Sequence, residues 1–171
     1  MDSSHSQMVA LIWNIADDVL RDVFLRGQYR DVILPMVVLR RLDALLEPTK
    51  EEVEAEITES GIDNIDEGVL KDITGLSYFN TSKWTLNRLK SQASDNNDIF
   101  IEYLNGYSEN IRDVLRNFEY YTKARKLADN DRLLSIIERI TDPRINLTDK
   151  NTIDPDGLPL PALTNVGMGT V

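Results

Sequence analysis

The chain has 171 residues, of which 42% are apolar and 28% charged, and a net charge of -10; it is long enough to bury one core and too apolar to read as disordered. The absence of cysteine excludes a disulfide framework, a thiolate metal site and a cysteine nucleophile. No segment approaches the roughly 18 to 20 continuous apolar residues of a membrane span, and the opening M-D-S-S-H-S-Q lacks the regions of a secretion signal, so a cytoplasmic protein with no membrane partner is expected.

A first helix is predicted from about Ser4 to Leu25. Ile12, Ile15, Ala16, Val19, Leu20 and Val23 fall on one face, Trp13 lies near the edge of that stripe, Ser4 with Gln7 offers a capping box and Gly27 a stop. A second helix, about Tyr29 to Leu46, is apolar nearly all round from Val32 to Leu39, which marks it as the central, most buried helix. Pro35 lacks an amide hydrogen; the first turn tolerates that, whereas an earlier helix start bends the helix, and a bend is expected. Arg40 and Arg41 follow the buried run, with stems expected to snorkel from the core and heads to cap the helix C-terminus.

Glu47-Pro48 ends this helix, and Thr49 with Glu52 makes a capping box for a third, acidic one reaching about Ser60, in which Val53, Ala55 and Ile57 form a thin docked stripe. A short helix around Asp66 to Ile73 follows, Gly75 permits a turn, and Leu76, Tyr78 and Phe79 anchor an irregular segment. Another helix is expected from Ser82, carrying Trp84, Leu86 and Leu89 inward, before the loop signal Asp95-Asn96-Asn97. Helical spacing resumes at Ile99, Phe100, Tyr103 and Leu104, ends at Gly106, and restarts after Ser108 with Ile111, Val114, Leu115 and Phe118. Two more helices, about Tyr120 to Leu127 and Asn130 to Ile140, complete the series.

From Asp142 the chain holds four of its six prolines and reads as an extended connector, with a short strand left open. The expected fold is therefore all-α: residues 1–141 form a multi-helix globular domain around the central buried helix, and residues 142–171 form the Pro-rich connector.

Little in the sequence points to chemistry. His5 is the only histidine and lies at the N-terminus, so no triad or His-based metal site can be built. Gly61, Gly68 and Gly75 are spaced as turns, and G-M-G at Gly167 to Gly169 is too short for a phosphate loop. Asp17-Asp18 and Glu51-Glu52 are adjacent on helices and point about 100 degrees apart, unlike a catalytic carboxylate pair. No catalytic, cofactor-binding or metal residue is assigned.

Charge is more informative. Residues 47–72 carry ten acidic and two basic side chains, whereas residues 73–144 carry eleven basic and ten acidic ones. The overall acidity opposes autonomous DNA binding, which depends on cations neutralising phosphates. Lys83, Arg88 and Lys90 surround Trp84, and Arg112 and Arg116 line a later helix, ahead of Lys123, Arg125 and Lys126. The first five are the DNA-contact candidates, against the plainer reading of an ordinary charged surface.

The stretches I-W-N-I-A-D-D-V-L-R (Ile12–Arg21) and Y-R-D-V-I-L-P-M-V-V-L-R-R-L-D (Tyr29–Asp43), then N-G-Y-S-E-N-I-R-D-V-L-R-N-F (Asn105–Phe118) and R-L-L-S-I-I-E-R-I (Arg132–Ile140), together resemble the N-terminal helical domain of type I restriction-modification methylation subunits. N-V-G-M-G-T-V at Asn165 to Val171 resembles the start of the helix leading into that family's methyltransferase domain, so continuation past Val171 is expected.

The resemblance implies a subunit that transfers a methyl group from S-adenosylmethionine to adenine N6, at a site chosen by a specificity subunit. The family's Asn-Pro-Pro-aromatic and glycine-containing cofactor motifs are absent here, so this segment is not expected to methylate or to bind the cofactor. What it implies instead is help in enclosing double-stranded DNA and in assembly with the specificity subunit, a second methylation subunit and the restriction subunit. Two alternatives stay open: a helical protein-interaction module with no DNA role, and an acidic DNA-mimic protein.

Overall fold

A computed structural model of the chain describes residues 3–91, 97–142, 145, 152–153 and 159–160. Nine α-helices occur among them: α1 (Ser3–Leu20), α2 (Tyr29–Leu46), α3 (Lys50–Ser60), α4 (Glu67–Thr74), α5 (Leu86–Ser91), α6 (Asn97–Asn105), α7 (Glu109–Asn117), α8 (Tyr120–Asp129) and α9 (Leu133–Ile140). The fold is all-α, as the sequence implied. Helix α2 is central: α1, α8 and α9 pack against it, and Val32, Met36, Val37 and Leu39 are at most 1% exposed. Its outer stripe is less covered than its composition suggested, since Leu34 and Val38 are only half-buried. The helix is continuous through Pro35, which lies beyond its first turn.

Several boundaries differ from the sequence reading, each for a local reason. Helix α1 stops at Leu20, because Asp22 adopts a left-handed backbone (φ 67°) and the Val23 and Phe24 amides both donate to the Leu20 carbonyl. Aspartate tolerates that conformation better than most residues, so Gly27 is not the stop; it sits in the 3-10 turn Arg26–Gln28 that leads into α2. The Ser4 half of the proposed first cap lies outside the described side chains. At α3 the Thr49–Glu52 box does not form. A 3-10 turn, Glu47–Thr49, joins α2 to α3, and the Thr49 hydroxyl donates backward to the Leu46 carbonyl at 3.4 Å.

The helix expected from Ser82 begins only at Leu86. Ser82 is held in a turn, its amide and hydroxyl both donating to Asn80 Oδ1 (2.8 and 2.7 Å), while Thr85 Oγ1 accepts the Arg88 amide at 3.1 Å. Asn97, read as loop, is the first residue of α6; Asp95 and Asn96 lie outside the described residues. Helix α9 begins at Leu133 rather than Asn130 because Asp131 is left-handed (φ 58°). By contrast, α4 has the expected punctuation, with Asp66 Oδ1 accepting the Gly68 amide at 2.9 Å and Gly75 in the left-handed region at its end.

Most apolar side chains form one core, and Val53, Leu70 and Phe79 form a smaller cluster under α3 and α4. Val114, expected inward, is 43% exposed. Most of the Pro-rich connector and the helix start at 165–171 lie outside the described residues; within it Ile145 is buried and Thr152–Ile153 pairs antiparallel with Pro159–Leu160.

Candidate functional site

The strongest concentration of polar chemistry lies inside the domain, at a position the sequence reading did not single out. Asp43 is 3% exposed on the core side of α2. Its Oδ1 accepts the Leu86 amide at 3.2 Å and the Tyr103 hydroxyl at 3.1 Å. Since Tyr103 has only one proton, Tyr107 is the donor in the 2.6 Å contact between their hydroxyls. Asp43 Oδ2 lies 3.6 Å from Arg40 Nη1, which itself donates to Glu47 Oε1 at 3.2 Å.

Burial pushes the Asp43 carboxyl up to about 6, the Glu47 charge adds to that, and the Leu86 amide, the Arg40 charge and the Tyr103 hydroxyl pull it back. Desolvation wins because the guanidinium is too distant for a direct hydrogen bond. Burial likewise pushes both tyrosine hydroxyls well up. The expected snorkelling of Arg40 and Arg41 is overturned: Arg40 is 9% and Arg41 5% exposed. For Arg40 the reason is a partner on each following turn, Asp43 and Glu47.

Lys50 on α3 is buried as well. Its Nζ donates to the Ser82 carbonyl at 2.6 Å and the Asn80 carbonyl at 3.4 Å, tying α3 to the segment before α5. Burial pulls its pKa down to about 8, against Glu54 and Asp43, which raise it. It also lines an open cleft of about 320 Å³ with Glu47, Pro48, Glu51, Thr85, Asn87 and Arg88. Asn80 completes the strap by donating to the Tyr103 carbonyl at 3.0 Å. A charged residue three positions before Asp43 and another four after it, on the face that carries Met36 and Leu39, was the signal available in the sequence.

The DNA-contact candidates are not brought together as one uniformly available cationic face. Arg88 Nη1 donates to Glu54 Oε1 at 2.5 Å, inside the acidic segment it was expected to avoid. Arg112 pairs with Glu109 at 2.8 Å, and Arg116 pairs with Glu109 at 2.9 Å and with Asp113. Lys83 is exposed, its Nζ 5.0 Å from the Trp84 ring centre. Lys90 is half-buried. Of the later cations, Arg125 approaches Asp129 at 4.0 Å, Lys123 donates to the Phe118 carbonyl at 2.5 Å, and Lys126 lies 4.6 Å from the Phe24 ring centre.

Among the described residues no group of three or more acidic or histidine side chains could hold a metal ion, and no helix is long and apolar enough to cross a membrane. An apolar dimple between α2 and α7, floored by Leu39 and Leu115 and edged by Val38 and Val114, has a volume of about 30 Å³, too small for a cofactor.

No curated protein and no solved structure matches the chain. The family model of the HsdM N-terminal domain matches residues 8–140, a span that begins in α1 and ends at the last residue of α9. The chain therefore belongs to the HsdM N-terminal domain family, the N-terminal domain of type I restriction-modification M subunits.

Proposed function

We propose that this domain supports assembly of a cytoplasmic type I methylation complex and helps enclose the DNA duplex, while a specificity subunit chooses the site. Methyl transfer from S-adenosylmethionine to adenine N6 belongs in this reading to a domain outside the chain, acting with a second methylation subunit and, in the full system, a restriction subunit. The observation that carries the proposal is the family match across residues 8–140.

The cleft beside Lys50 does not fit the cofactor. S-adenosylmethionine presents a flat adenine that stacks in an apolar slot, whereas this open cleft is lined by two carboxylates, Glu47 and Glu51, two cations, Lys50 and Arg88, and the polar Thr85 and Asn87, with Pro48 as its one apolar residue. The adenine finds no apolar slot there. No step is derived through the cofactor.

Duplex enclosure is auxiliary on this reading, because Arg88, Arg112 and Arg116 must exchange carboxylates for phosphates, while Lys83 and Lys90 have no carboxylate partner among the described residues. Replacing Lys83, Arg88, Lys90, Arg112 and Arg116 by glutamine in the assembled complex tests it. Weaker DNA binding with a shallower salt dependence and an unchanged methylation site is expected, since phosphate contacts position a protein without reading bases. Unchanged affinity and salt slope would remove these five residues from DNA contact.

A further inference from the structure

The linker between α1 and α2 carries cations that the domain itself leaves unneutralised. Arg21 follows α1, Arg26 opens the 3-10 turn, and Arg30 lies in the first turn of α2; all three are exposed. Lys126 of α8 is brought to the same place by its 4.6 Å contact with the ring of Phe24. None of the four is ion-paired among the described residues, in contrast to Arg88, Arg112 and Arg116. We infer that Arg21, Arg26, Arg30 and Lys126 form the surface through which this domain grips the phosphate backbone of double-stranded DNA, an inference that rests on the duplex-enclosing role proposed above.

The linker stands proud of the domain in a fixed shape. Leu25 is 75% exposed at its tip, and Arg26, Gly27 and Gln28 are exposed beside it. The Leu25 amide nonetheless donates to Gln28 Oε1 at 2.9 Å, and the Gln28 amide to the Leu25 carbonyl at 2.8 Å. A turn ordered in advance loses less entropy when it docks. The turn runs straight into α2, so only three residues separate Arg26 from Arg30 along the chain.

Distance from the acidic segment separates this patch from the earlier candidates. Arg30 lies in the first turn of α2 and Glu47 caps its other end, and at a rise of 1.5 Å per residue they lie about 25 Å apart along its axis. Screening at physiological salt acts over about 8 Å, so Glu47, where the acidic segment begins, is largely screened from Arg30. Arg88, by contrast, touches a carboxylate of that segment directly. The nearer carboxylates are Asp22 and Asp31, both exposed and next in sequence to Arg21 and Arg30, Asp17 and Asp18, one helical turn before Arg21, of which Asp18 is paired with Arg139 at 3.1 Å, and Asp129, which faces Arg125. They moderate the patch without capturing its four cations.

The test compares three variants of the assembled methylation complex on a non-specific duplex at several salt concentrations. Arg21→Gln, Arg26→Gln, Arg30→Gln and Lys126→Gln together should weaken binding at least tenfold at about 100 mM salt and lower the salt slope by about one for each phosphate no longer neutralised. The triple variant Arg21→Lys, Arg26→Lys, Arg30→Lys keeps the charges and should bind close to normally. Weakened binding in both variants would mean that the linker's shape, and not its charge, is at stake, and would overturn the inference. If the glutamine set leaves binding intact while neutralising Lys83, Arg88, Lys90, Arg112 and Arg116 weakens it, the surface is wrong but duplex enclosure stands. If neither set matters, both fail.

Discussion

Asp43 on α2 holds the first amide of α5 from a distance of 43 residues in sequence, its Oδ1 accepting the Leu86 N–H at 3.2 Å. A carboxylate from another helix thus satisfies an end amide that would otherwise be buried without a partner, Leu86 being 0% exposed. The same oxygen takes the Tyr103 proton, so a single buried group joins α2, α5 and α6.

Asp43→Asn tests the cost of that buried charge. With a folded pKa raised from 3.8 to about 6, the carboxyl contributes stability that is fully present below 3.8 and is lost as pH rises through 6. Asparagine keeps an acceptor for Leu86 and Tyr103 and does not titrate. The stability of the natural chain relative to Asp43→Asn should therefore fall between pH 4 and pH 7 by on the order of 3 kcal/mol, read from urea midpoints at each pH. A difference independent of pH would show that Asp43 titrates normally.

Leu39→Ala should destabilise the domain by about 2 to 5 kcal/mol, since Leu39 is 1% exposed in the central helix and truncation leaves a cavity. Chemical denaturation measures it directly. A loss well under about 1 kcal/mol would place this face of α2 at the surface.

Gly106→Ala addresses the close approach between the segment before α5 and the turn after α6. A Cβ at Gly106 meets the Ser82 amide nitrogen and Cβ, each at 2.7 Å, and the Asn80 side-chain oxygen, while the Gly106 carbonyl accepts the Thr81 amide at 2.7 Å. Backbone cannot yield as a side chain can, so a destabilisation of about 1 to 3 kcal/mol is expected. Thermal unfolding at the natural Tm would contradict this close approach.

Local signals in the sequence were legible where they competed with nothing. Asp66 and Gly75 bracket α4, Gly106 and Ser108 separate α6 from α7, and the dense apolar run places α2 at the centre. The signals misled where a second local option existed: Asp22 ended α1 ahead of Gly27, and Thr49 turned its hydroxyl back toward α2. Long-range pairs were not legible. Arg88 meets Glu54 across 34 residues and Asp43 meets Tyr103 across 60, and no periodicity within a helix specifies a partner on another one. The arginines around the α1–α2 linker did not stand out for a related reason, since the pairing of Arg88 with Glu54 and of Arg139 with Asp18 is visible only in three dimensions.

The central claim, that this helical domain serves methylation by building the complex and holding its DNA without supplying the chemistry, is tested most directly by deleting residues 8–140 from the methylation subunit and assaying the reconstituted complex. S-adenosylmethionine binding by calorimetry should persist, which also verifies that the remaining protein has folded, while duplex affinity and methyl incorporation at subsaturating DNA should fall together. Full DNA affinity and methyl transfer with intact subunit assembly would contradict the account, as would loss of cofactor binding accompanied by saturable S-adenosylmethionine binding to the excised domain.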